Sequence, residues 1–174
     1  MRELATRDRL LEFMSALGRE ADTESRVYFT GGASAVLLGW RDTTIDADIR
    51  MIPDSDRLFR ALPRLKERLR LNIELASPPD FIPEVPGWRE RSPFISREGL
   101  VSFHHFDFYS QALAKIERGH AQDRSDVTQM LDRGLVDRRR LLECYEQIEP
   151  NLYRYPALDP AGFRRAVLEA VGAA

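Results

Sequence analysis

Between Val27 and Met51 the chain reads VYFTGGASAVLLGWRDTTIDADIRM, and its apolar pattern changes period twice. The run 26–30 is aromatic and β-branched and predicts a strand. Gly31-Gly32 then turns the chain, and ASAVLLG predicts a short helix closed by Gly39. Ile45, Ala47 and Ile49 next alternate with Asp46, Asp48 and Arg50, the two-residue period of a half-buried strand. Strand, tight turn, helix and strand in so short a span call for a sheet with helices packed against it.

The flanking sequence extends that pattern. Leu10, Leu11, Phe13, Met14 and Leu17 recur at helical spacing, with Thr6 placed to cap. A basic amphipathic helix is predicted from Asp54 to about Leu69, kinked or interrupted at Pro63. In LNIELA (71–76), Leu71, Ile73 and Leu75 form one strand face, and Asn72 and Glu74 the other. The proline-rich stretch 77–88 reads as an irregular loop, and 93–108 as two strands meeting at Glu98-Gly99. Helices are predicted over 110–118, 123–132 and 137–147, and a last one opening at Asp159-Pro160. The expected fold is therefore α/β (α+β): a mixed sheet flanked by helices over 1–109, with a helical part over 110–174 packed on it as one domain.

Asp46 and Asp48, two apart on a strand, project from the same face with their Cα atoms roughly 6.5–7 Å apart. Carboxylates that close repel unless a cation or donor lies between them. Divalent cations resolve the repulsion, and Mg²⁺ suits a site of few carboxylates completed by phosphates. Two such ions can clamp the attacking and leaving oxygens of a phosphoryl displacement. Glu74, on the polar face of the next strand, offers a third ligand or a base for an attacking hydroxyl. Gly31-Gly32 ahead of a helix would let backbone amides approach a phosphate chain, with the Ser34 hydroxyl nearby. Each signal alone also fits a solvated strand edge or a plain turn; the order in which they occur is what singles them out.

The block GGASAVLLGWRDTTIDADI resembles the signature of the nucleotidyltransferase superfamily, in the variant typical of AbiEii/MenT-like toxin nucleotidyltransferases and their small relatives. The matching positions are Gly31, Gly32, Gly39, Arg41, Thr44, Asp46 and Asp48. A second block, ALAKIERGHAQDRSDV, is similar to the downstream motif through Lys115, Arg118, Asp123 and Asp126. The resemblance implies that Gly31, Gly32 and Ser34 hold a nucleoside triphosphate, that Arg41 braces the loop or touches a phosphate, and that Asp46 and Asp48 bind Mg²⁺ (two ions, with Mn²⁺ as a substitute). It implies that Lys115 reaches a phosphate with Arg118 in the same nucleotide-binding set, that Asp123 orients Lys115 or helps position the acceptor, and that Asp126 caps or pairs with Arg118. Glu74 stands where the family often carries an Asp, and Asp80 is the competing third carboxylate. The implied reaction transfers a nucleoside monophosphate to a hydroxyl of a tRNA 3′ end or a protein, in a toxin–antitoxin setting with a cognate antitoxin. A catalytically silent binding or antitoxin-like partner on the same fold is the alternative.

Composition narrows the setting. The 174 residues carry a net charge of −2, so no global field draws the chain to nucleic acid. Basic residues cluster over 57–70 and at Arg138, Arg139 and Arg140, either as solvated helix faces or as a local polyanion contact. No apolar run approaches the roughly 20 residues that span a bilayer. The charged segment MRELATRDRLLEF lacks a signal-peptide core, and a lone Cys144 fits a reducing compartment, so the cytoplasm is the expected location. His104 and His105 read as structural, and Trp40, Phe103, Phe106, Phe108 and Tyr109 as core.

Overall fold

The structure is a computed structural model that describes residues 3–173. The chain divides into two compact units: one takes the residues up to Ser77 together with Ser92–His105, the other Pro78–Arg91 together with the chain from Phe106 onward.

The first unit is a mixed sheet with helices. Its strands are β1 (Ala5–Thr6), β2 (Ser25–Thr30), β3 (Thr43–Thr44), β4 (Asp46–Ile52), β5 (Asn72–Glu74), β6 (Phe94–Glu98) and β7 (Val101–His105); its helices are α1 (Arg7–Glu20), α2 (Gly32–Leu38) and α3 (Asp56–Leu69). Five strands form the main sheet in the order β5-β4-β2-β7-β6, and β1 pairs with β3 separately. β2 runs antiparallel to β4 but parallel to β7, and β4 runs parallel to β5. The core joins Phe13 and Leu17 of α1, Val27 and Phe29 of β2, Ile49 of β4, Phe103 of β7, and Leu58 and Leu65 of α3, all essentially inaccessible. Burying each such side chain stabilises the fold by about 1.5–3 kcal/mol. Phe29 stacks on Phe103 with ring centroids 5.9 Å apart and meets Phe13 edge-on at 6.4 Å.

The helix boundaries follow from their caps. The Thr6 hydroxyl accepts the Arg9 N–H at 3.4 Å, and Ser55 accepts the Leu58 N–H at 3.3 Å. α3 stays helical through Pro63 rather than being interrupted there, because its apolar stripe Leu58, Leu62, Leu65 and Leu69 is buried along the whole length. Two expected core positions are corrected. Ile45 is 71% and Leu75 58% exposed, because β4 begins only at Asp46 and β5 ends at Glu74. Alternation in the sequence ran one residue past the hydrogen-bonded ladder at each place.

The second unit is helical: α4 (Phe108–Arg118), α5 (Ala121–Asp132), α6 (Arg138–Ile148) and α7 (Pro160–Ala170), with 3₁₀ turns at Pro78–Asp80 and Glu149–Arg154. The strand expected to reach Phe108 stops at His105, since Asp107 caps α4. Its buried carboxylate accepts the Tyr109 and Ser110 N–H groups at 3.3 and 3.2 Å. Arg91 then binds the same carboxylate through two N–H groups, at 3.0 and 2.8 Å. That fork and the stacking of Trp88 on Phe106, centroids 4.3 Å apart, pin the proline-rich loop that the sequence presented as irregular.

Candidate active site

Register places the acidic residues. In the β4–β5 pair Asp46 lies opposite Asn72 and Asp48 opposite Glu74, while Thr30 of β2 lies opposite Asp48 on the other side. Residues in register share a sheet face. Asp46, Asp48, Asn72 and Glu74 therefore form one polar patch, and Ala47, Ile49 and Ile73 fill the core on the reverse face. The Asn72 amide donates to the Asp46 carboxylate and to Glu74 Oε1, the latter at 3.0 Å, so a single side chain spans two of the acids. Asn72 was legible in the sequence only as a polar neighbour of Glu74. Asp80, the competing third carboxylate, lies in a 3₁₀ turn of the second unit.

The diglycine bend closes on this patch. Gly31 adopts φ 62° and ψ −135°, a conformation open essentially to glycine alone. A Cβ there would stand 3.2 Å from Asp48 Oδ2. A Cβ on Gly32 would stand 2.1 Å from the Thr44 hydroxyl and 3.2 Å from an Arg41 guanidinium nitrogen. The two glycines thus let Asp48, Thr44 and Arg41 crowd the backbone of one bend.

Ser34 faces inward. Its buried hydroxyl donates to the Phe29 carbonyl at 3.2 Å and lies 3.0 Å from His105 Nδ1. A hydroxyl whose proton goes to a carbonyl can only accept from the imidazole, so His105 carries its proton on Nδ1. Burial, and to a lesser degree the neighbouring His104, pushes the His105 pKa from 6.5 down to about 4, so the ring is neutral near pH 7. His104 packs instead between Tyr28 and Phe94, centroids 5.3 and 5.6 Å away.

The second unit gathers the other block. Lys115 Nζ donates to Asp126 Oδ2 at 2.8 Å and lies 3.6 Å from Asp123 Oδ1. Arg118 forks onto Asp123 at 2.8 and 2.5 Å, and the His120 N–H adds a bond at 3.2 Å. Lys115, Asp123 and Asp126 are all buried. Burial works against ionisation of Asp123, but the Arg118 hydrogen bonds, the Arg118 and Lys115 charges and the His120 N–H outweigh it and hold its pKa below the usual carboxylate range. Asp126 takes Lys115 at 2.8 Å and Arg118 takes Asp123, while the expected proximity of Asp123 to Lys115 is present at 3.6 Å.

A model of a family described as a nucleotidyltransferase of unknown function (DUF6036) matches residues 8–157, which include both blocks and most of both units. The chain belongs to this family. As a nucleotidyltransferase-family protein it has the expected α+β architecture, and nucleoside triphosphates are the class of donor its family description implies. No curated protein and no solved structure matches the chain significantly. No helix among the described residues is long and apolar enough to cross a membrane.

Proposed function

We propose that this nucleotidyltransferase-family protein transfers a nucleoside monophosphate from a triphosphate to an acceptor hydroxyl, with Asp46, Asp48 and Glu74 as its metal-binding acids. The observation that carries the proposal is the shared sheet face of those three side chains, set against a bend whose Gly31 has a positive φ and would bring a Cβ to 3.2 Å from Asp48 Oδ2. Among the described residues no group of three or more acidic, histidine or cysteine side chains is placed to hold a cation, so the metal assignment rests on the shared strand face and the resemblance. Mg²⁺ is the ion proposed because it takes few carboxylates and completes its shell with phosphate and water. Bound there, Mg²⁺ or Mn²⁺ would neutralise the triphosphate and the departing pyrophosphate.

The chain's own residues do the rest. The Gly31-Gly32 backbone admits the phosphates closely, Thr44 and Arg41 flank it, and Ser34 secures the bend from behind. The resemblance makes Lys115 the candidate point charge for a phosphate; within the second unit it is held by Asp123 and Asp126, with Arg118 holding Asp123 in place. The acceptor oxygen attacks the α-phosphorus, its proton passes to Glu74, and the bond to the β-phosphate oxygen breaks to release pyrophosphate. The finer reading follows the resemblance: an AbiEii/MenT-like toxin that acts on a tRNA 3′ end or a protein and is restrained by an antitoxin.

A silent binding member is favoured by one feature, the Asn72 amide already spanning Asp46 and Glu74. Mass spectrometry of RNA and protein after incubation with Mg²⁺ and all four triphosphates decides between the two. Transfer requires a nucleotide adduct that vanishes in Asp46→Asn/Asp48→Asn. Tight nucleotide binding with no adduct on any acceptor establishes the silent member.

A further inference from the structure

Among the described residues β5 is an edge strand, hydrogen-bonded to β4 alone within its sheet, and a groove of about 910 Å³ opens along it beside α3. Phe59, Leu62, Pro63, Ile73 and Leu75 supply its apolar lining, and Glu74 belongs both to this groove and to the carboxylate patch. Pro63 has no N–H to return to the carbonyl of Phe59 one turn earlier, and both residues line the groove. Leu75 is left 58% exposed where a core strand would bury it.

Resting on the nucleotidyltransferase reading above, we propose that the β5 edge binds the acceptor as an extended peptide strand, which presents a Ser, Thr or Tyr hydroxyl to the carboxylate face. The geometry follows from strand alternation. A peptide added beside β5 shares faces with its neighbours in register, so the residue opposite Glu74 points to the side of Asp48 and Glu74. The residues before and after it point to the reverse face, where α3 and the apolar groove receive them. One strand thus separates the reacting side chain from the anchoring ones.

Charge selects peptide over RNA. The groove rim sets Lys66 and Arg70 against Glu67 and Glu74, which sums to zero, and Arg70 is itself held by Glu3 at 3.0 Å. Further along α3, Arg64 pairs with Glu20 at 2.7 Å and Arg57 lies 3.7 Å from Asp22. Of the six basic residues over 57–70, Arg57, Arg64 and Arg70 face acids distant in sequence, so the tract offers a phosphate backbone less free charge than its composition implies. An extended peptide needs only backbone pairing and apolar side-chain pockets. In the transfer the peptide oxygen bonds to the α-phosphorus, its proton passes to Glu74, and pyrophosphate departs with the electrons of the broken bond.

The test incubates the full chain with Mg²⁺, α-labelled triphosphates and two acceptor sets. One is total RNA; the other is peptides with one hydroxyl residue between alternating apolar residues. Labelled peptide hydroxyls are expected, and Leu75→Glu should reduce labelling roughly tenfold while leaving nucleotide binding unchanged. N-methylation of alternate peptide amides, which keeps every side chain but blocks strand pairing, should abolish labelling. Labelled RNA beside unlabelled peptides, or labelling indifferent to both Leu75→Glu and N-methylation, overturns the inference and leaves the nucleotidyltransferase reading standing. Failure of the wild-type chain to bind any nucleotide with Mg²⁺ overturns both.

Discussion

The two units each carry a cluster of acids, and they treat those acids in opposite ways. In the first, Asp46, Asp48 and Glu74 sit partly or fully in solvent, and Asn72 reaches two of them with a neutral amide. In the second, Asp123 and Asp126 are buried and face Lys115 and Arg118, two cations for two carboxylates. A buried carboxylate persists only with its countercharge built in, because the desolvation cost is several kcal/mol per ion. An accessible pair keeps its hydration and does not need that neutralisation. The first cluster is therefore open to solvent and to an arriving cation, whereas the second is closed around its own ion pairs.

Removing the acids of the first cluster should have the largest effect. Asp46→Asn/Asp48→Asn should lower nucleotide transfer below detection while thermal stability stays unchanged or rises, since a like-charge contact is relieved. A melting curve recorded beside the transfer assay checks both halves. Next is the reverse case. Lys115→Met withdraws the ammonium from two buried carboxylates and should cost about 3–5 kcal/mol in denaturant unfolding. Adding Asp126→Leu to that variant should recover much of the loss, which a purely catalytic lysine would not do.

His105 sharpens the contrast, because a buried titratable group lies behind the solvent-facing acids. Its folded pKa of about 4 is below the ordinary 6.5, so the unfolded chain binds more protons between those values. Stability should therefore fall as pH drops from 6.5 to 4, by about 3 kcal/mol from this group. His105→Gln should flatten that part of the pH profile in unfolding experiments. The smallest effect belongs to Asn72→Ala, at under ~1 kcal/mol of stability because its bonds are solvent-accessible. Its signature is a changed Mg²⁺ concentration for half-maximal transfer. An unaltered Mg²⁺ response would separate Asn72 from the site.

Much of this arrangement could be read from residue order. The diglycine bend, the Asp46–Asp48 alternation and the glycine that ends α2 are local, and the caps at Thr6 and Ser55 act within one turn. Ile45 and Leu75 misled because an alternating pattern does not say where cross-strand pairing stops. Pro63 does not interrupt α3, because burial of its apolar stripe outweighs the one backbone bond that proline removes. Asn72, His105 and the neutralised arginines of α3 were out of reach, since their partners lie on other elements. Asp46 and Asn72 are twenty-six residues apart, Ser34 and His105 seventy-one.

Residue order by itself determined the strand–bend–helix–strand unit, the two acids on one face of β4 and the family signature, because each depends on backbone preference and side-chain period over a few residues. Tertiary structure alone decided that Glu74 stands in register with Asp48, that Ser34 turns inward to His105, and that Lys115 takes Asp126 as its partner. Those outcomes depend on which strands pair and which groups lose water together, and both are set only when distant segments meet.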